Sequence, residues 1–97
     1  MPEREVRRES GFFRDCQRLA PPRSEKSRAL ARTVIELATA DKLPWPGDPS
    51  TILPGRGGVD IWAWGHSVPE AHLVVWYDCN PDLLVLHRVS RAGQVPR

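Results

Sequence analysis

Leu73-Val74-Val75-Trp76-Tyr77-Asp78-Cys79-Asn80-Pro81-Asp82-Leu83-Leu84-Val85-Leu86-His87-Arg88 is the stretch that decides the fold. Its middle, Asp78-Cys79-Asn80-Pro81-Asp82, is dense in residues that make turns through a fixed φ or through side chain-to-backbone hydrogen bonds. The flanking runs of Val, Leu, Trp and Tyr predict two antiparallel strands, over 71–78 and 83–90. Both runs are almost wholly apolar, as strands covered on two faces are. Upstream, a third strand is predicted over 59–65, joined to the hairpin by His66-Ser67-Val68-Pro69-Glu70.

The N-terminal half has the helical period. Phe12, Cys16 and Leu19 fall at i, i+4 and i+7, with Ser10 as N-cap, and Pro21-Pro22 ends that helix. Ser24 caps a second helix, followed by Glu25 in its first turn, over the window 23–40. Its apolar positions are Ala31, Val34, Ile35 and Ala38, widened by Leu30 and Leu37. The expected buried set is Phe12, Cys16, Leu19, Val34, Ile35 and Ala38. Two helices joined by a short proline turn form an antiparallel hairpin. Residues 41–58 hold four prolines and four glycines and read as a loop packed on the core, without long regular structure. A short strand over 5–8 completes the order. The expected fold class is α+β: an N-terminal helical hairpin packed on a small antiparallel β-sheet, with 1–97 as a single domain.

At 97 residues and 11.0 kDa, with 40% hydrophobic and 27% charged residues, the chain is ordinary for one globular unit. The longest apolar run has five residues, 73–77, where a membrane helix needs about 20. The charged N-terminus does not suit a signal peptide, and the expected location is the cytoplasm. Cys16 and Cys79 form no metal-spaced cluster and are expected to be buried thiols. Gly55-Arg56-Gly57-Gly58 lacks the lysine of a phosphate-binding loop. Residues 1–32 carry nine Arg/Lys against five Asp/Glu, and twelve of the fourteen cations in the chain are arginine. Arginine suits bidentate contact with phosphate. The same run also suits a solvated helix face, and a net charge of +2 is low for a nucleic-acid binder.

His66, His72 and His87 lie in the strand-rich third, with Glu70 and Asp78 near them and Arg88 and Arg91 following. Metal-independent RNA cleavage needs a base for the 2′-hydroxyl proton, an acid for the leaving oxygen and cations for the phosphate. These residue types supply all three; three exposed histidines without a role are the alternative. His66, Glu70, Arg88 and Arg91 are expected to converge at one edge of the sheet. Trp62 and Trp64 share a strand face and, with Trp76, offer either a stacking platform or a core face against the helices.

The chain resembles the RelE/ParE superfamily of bacterial toxins, nearest the YafQ-like branch. The likeness rests on Phe12/Asp15/Leu19 in the first helix, Leu53/Gly55 after the loop, His66, Pro69-Glu70, Leu73-Val74-Val75-Trp76-Tyr77 and Arg88. It implies a type II toxin that cleaves mRNA on the ribosome and inhibits translation, without metal or other cofactor. It further implies neutralisation by an antitoxin. Carried over, His66 is an acid/base residue, Glu70 its acidic partner and Arg88 a phosphate contact, with His72, His87 and Arg91 on the RNA. Where that branch follows its last strand with Gly-Ser-His, this chain has Val89-Ser90-Arg91-Ala92-Gly93. Either His87 or Arg91 takes the place of the missing histidine, or nuclease activity is weak or lost. The alternative is a binding protein on the same fold, either a ParE-like gyrase inhibitor or an inactive relative that acts through its antitoxin.

Overall fold

The hairpin turn is built by Asn80. Its Oδ1 accepts from the N–H groups of Asp82 and Leu83, both at 2.8 Å, and its own N–H donates to the Leu83 carbonyl at 2.9 Å. This Asx geometry fixes the register of the two longest apolar runs. The computed structural model describes residues 3–45 and 47–96. Pro46 of the proline-rich loop, and Met1 and Pro2 of the charged N-terminus, lie outside the described residues.

The elements are β1 (Glu5–Arg8), α1 (Ser10–Leu19), α2 (Glu25–Thr39), β2 (Ser50–Pro54), β3 (Asp60–Val68), β4 (Leu73–Cys79) and β5 (Leu83–Arg91). Short 3₁₀ turns lie at Arg56–Gly58 and Pro69–Ala71. The sheet has five strands in the order β1-β5-β4-β3-β2. Every pair is antiparallel except β1 with β5, which is parallel, so the sheet is mixed where the sequence predicts an antiparallel one. The reason is topological: α1 and α2 separate β1 from the other strands, so it can enter at the β5 edge in either direction.

The strand β2 falls inside the segment read as loop. Four residues between Pro49 and Pro54 suffice to pair with β3 along an edge, where proline interrupts no ladder on its outer side. Ser24 caps α2 as expected, accepting from Ser27 N–H at 3.1 Å. Ser10 is the first residue of α1 and Glu9 its N-cap, one place earlier than predicted, with no side-chain cap bond.

The main core lies between the helices and one face of the sheet. It unites Phe12, Leu19, Leu30, Val34, Leu37 and Ala38 with Val68, Leu73, Val75, Tyr77, Leu84, Leu86 and Val89. On α2 the buried positions are Ala29, Leu30, Thr33, Val34, Leu37 and Ala38, so Val34 and Ala38 are buried as expected while Ile35 is 61% exposed. The predicted stripe was rotated in part, because both sides of the helix carry aliphatic residues and periodicity alone does not rank them. Cys16 and Cys79 are only half-buried. Even so, desolvation raises both thiols to about 11, so they stay protonated at neutral pH. The opposite sheet face carries a smaller cluster of Leu53, Ala63 and Trp76. The three tryptophans therefore form no single surface: Trp64 packs on the main core, Trp62 is 53% exposed, and Trp76 is buried on the second face. Among the described residues no helix is long and apolar enough to cross a membrane.

These placements separate two neighbouring positions. Val34→Asp puts an unpaired charge in the main core at a cost of several kcal/mol, on the order of the whole stability. That variant should be unfolded by circular dichroism, whereas Ile35→Asp should fold with a midpoint close to wild type.

Candidate functional site

A pleated sheet sorts side chains by face, and the cross-strand register does the sorting here. His66 pairs with Val75, which pairs with Val89, and all three belong to the helix-covered face. Gly65 pairs with Trp76, which pairs with Arg88, on the second face. His66 and Arg88 thus stand one row apart on opposite faces of the sheet, and the expected convergence of His66, Glu70, Arg88 and Arg91 does not occur.

His66 belongs to a cluster that the sequence did not announce. Gly65 N–H donates to the Pro49 carbonyl at 2.8 Å, which docks the loop before β2 alongside β3. Asp48 N–H donates to the Trp45 carbonyl at 3.2 Å across a turn in which Gly47 has φ +89°, a conformation suited to glycine. Asp48 Oδ2 consequently lies 3.3 Å from His66 Nδ1 and accepts from the Tyr77 hydroxyl at 2.7 Å. Trp45 packs edge-on to both rings, with centroids 6.2 Å from His66 and 5.7 Å from Tyr77. Burial and the Asp48 carboxylate push the Tyr77 hydroxyl far above the usual phenol range, so it serves as a permanent donor. Asp48 sits eighteen positions from His66 in a loop of prolines and glycines, and no spacing rule connects the two.

Arg88 is held by Asp15, a 5% exposed carboxylate in α1. Asp15 Oδ2 accepts from Arg88 Nε at 2.6 Å and from Val89 N–H at 2.9 Å, and Oδ1 accepts from Arg88 Nη2 at 3.2 Å. The helix approaches closely: a Cβ on Gly11 would meet Arg88 Cδ at 2.7 Å. A register shift in β5 leaves His87 unpaired between Leu86 and Arg88. His87 then lines a groove of about 690 Å³ on the second face, with Glu9, Arg14, Leu53, Ile61 and Arg88. Burial drives the His87 pKa below 6.5, opposed by the charges of Asp78 and Glu9 and reinforced by Arg7. The signal for Asp15 was present in the sequence, as an acid on the apolar stripe of a helix.

Arg91 shares a cleft of about 670 Å³ with Arg88, as expected of these two arginines, and with Arg18, and it also meets His72. With Arg18 and Lys26, His72 and Arg91 line a cleft of about 400 Å³ at the start of β4. His72 is exposed in the left-handed region at φ +54°, and its carbonyl accepts from Ala92 N–H at 2.8 Å. Glu70 is exposed in the 3₁₀ turn and makes no hydrogen bond or ion pair among the described residues. Among those residues, too, no group of three or more His, Cys, Asp or Glu side chains is placed to hold a metal ion.

Comparison with solved structures matches this architecture to the crystal structure of YafQ from E. coli strain BL21(DE3), with a TM-score of 0.58. The match covers 92% of this chain and 93% of that one, at 16% identity. The fold is that of YafQ. No protein-family model matches the chain, and no curated protein sequence matches it. The likeness in fold thus spans nearly the whole of both chains, and in this chain the His66 cluster and the Arg88 groove lie on opposite faces of the sheet.

Two outcomes follow. Asp15→Ala removes the carboxylate that binds the half-buried Arg88 guanidinium and leaves the buried Val89 N–H without its acceptor, which should cost about 1–3 kcal/mol in urea denaturation. Below pH 6.5 the unfolded chain takes up a proton at His87 that the folded chain refuses, so stability falls with pH until the lowered folded pKa is passed. His87→Gln should remove that part of the loss between pH 7.5 and 5, read as the difference between the two proteins' stability curves.

Proposed function

We propose that the chain is the toxin of a bacterial type II toxin–antitoxin system, acting in the cytoplasm as a ribosome-dependent endoribonuclease on mRNA. The observation that carries this reading is the end-to-end correspondence with the fold of YafQ, joined to the resemblance of the sequence to the RelE/ParE toxins. The chemistry needs no cofactor. A base at His66 takes the 2′-hydroxyl proton, the freed oxygen forms a bond to the adjacent phosphorus, the bond to the 5′ oxygen breaks, and that oxygen takes a proton from water. Glu70, exposed in the 3₁₀ turn after β3, is carried over from the resemblance as the acidic partner. Arg88 and Arg91 compensate phosphate charge, and His72 and His87 contact the RNA from the cleft and the groove. A cognate antitoxin would cover apolar surface such as Ile52 and Trp62, cross-strand partners that are each about half exposed.

A second reading keeps the toxin and drops the nuclease: a gyrase inhibitor, or an inactive relative that acts through its antitoxin. It is favoured by the placement of His66 and Arg88 on opposite faces and by the engagement of Arg88 with Asp15.

Expression of the chain alone should arrest bacterial growth, and co-expression of the protein from the neighbouring reading frame should restore it. Mapping of mRNA ends should show new cleavage sites within translated frames. Loss of a general base or of a phosphate contact typically lowers the rate ~10²–10⁴-fold, so His66→Ala and Arg88→Ala should each abolish toxicity. Unimpaired growth at high soluble expression refutes the toxin. Full toxicity of both variants, with intact mRNA, selects the second reading.

A further inference from the structure

We infer that Asp48, anchored by Tyr77, is the positioning residue that fixes the tautomer of His66 and presents its Nε2 as the proton acceptor of the site. The inference rests on the nuclease reading and adds residues that it does not contain.

Hydrogen-bond bookkeeping leads there. An ionised carboxylate only accepts, and a phenol that stays protonated can donate to it. The Tyr77 hydroxyl supplies its proton to Asp48 Oδ2 at 2.7 Å, so the second group at that oxygen, His66 Nδ1 at 3.3 Å, must also arrive as a donor. Neutral His66 is then the Nδ1–H tautomer, and its lone pair sits on Nε2. Nε2 makes no hydrogen bond among the described residues. The His66 and Asp48 side chains keep 24% and 16% of their surface, enough for a substrate to reach the ring and little enough to limit competition from water. Trp45 against both rings restricts their rotation.

The logic is that of a carboxylate behind a catalytic imidazole: it holds the ring, selects the tautomer and stabilises the imidazolium, without itself taking the proton. When the 2′-hydroxyl proton moves to Nε2, the new positive charge faces Asp48 through Nδ1–H. Glu70 cannot serve in this way, because it is exposed and bonded to nothing among the described residues.

The experiment reads the tautomer by ¹⁵N–¹H NMR of the full-length chain, with the His66 resonances assigned by their loss in His66→Gln. It is paired with kinetics of cleavage of a defined mRNA on ribosomes. Wild type should show Nδ1–H at neutral pH, and Asp48→Ala should shift His66 to Nε2–H, the form that free imidazole favours in water. Asp48→Ala should lower kcat ~10²-fold or more with KM little changed. Should that variant fail to fold, Tyr77→Phe retains the carboxylate without its anchor and should give mixed tautomers with a smaller loss of kcat. A wild type in the Nε2–H form, or a tautomer indifferent to both substitutions, overturns the inference. Wild-type cleavage by His66→Gln overturns it too and leaves the nuclease standing. A folded wild-type chain that cuts no mRNA removes the nuclease reading and this inference with it.

Discussion

The carboxylate of Asp15 is the contact on which the arrangement turns. β1 pairs with β5 only as far as Leu86, so beyond that point the outer edge of β5 has no strand beside it. Asp15 supplies the missing acceptor to Val89 N–H and binds the Arg88 guanidinium with the same group. Removing a charged group from water is expensive unless it is paired and fully hydrogen-bonded. Here one carboxylate is satisfied by a main-chain donor and a fork of guanidinium donors, and a helix is thereby sealed onto a strand edge. The close approach at Gly11 and the unpaired His87 belong to the same junction.

Arg4 performs the matching task for α2. The last carbonyls of a helix lack partners within it, and α2 has no basic residue in its final turn. The buried Arg4 guanidinium donates to the carbonyls of Leu37 and Ala40 at that end, while its Nε donates to the Asn80 carbonyl in the β4–β5 turn. An N-terminal residue thus joins the end of a helix to the hairpin, and Arg4 N–H bonded to Ala38 O adds a main-chain tie. The two helices are held to the sheet by charged groups at their margins as well as by the core beneath them.

These clamps have a functional consequence. By fixing the register of β5, the Asp15 junction sends Arg88 and the His87 groove to one face of the sheet, while His66 with Asp48, Tyr77 and Trp45 occupies the other. Any RNA that engages both sets must pass over an edge of the sheet. A protein ligand would meet them as separate surfaces.

Local chemistry alone determined much of this protein. The Asn80 turn with its two apolar strands, the Ser24 cap and the break at Pro21-Pro22 each depend on residues a few positions apart, and such signals survive in one dimension. The YafQ-like fold was legible for that reason. Tertiary structure decided the rest. Which face of α2 is buried was decided by packing on the sheet: Leu37 lies in the core and Ile35 is exposed, although both are apolar. The parallel entry of β1 and the edge strand β2 depended on open ladders that only the assembled sheet provides. The site shows the same division. His66, Arg88 and their neighbours could be named from residue type and resemblance. The partners they found, Asp48 and Asp15, lie 18 and 73 positions away, brought close by pairing and packing that no local spacing encodes.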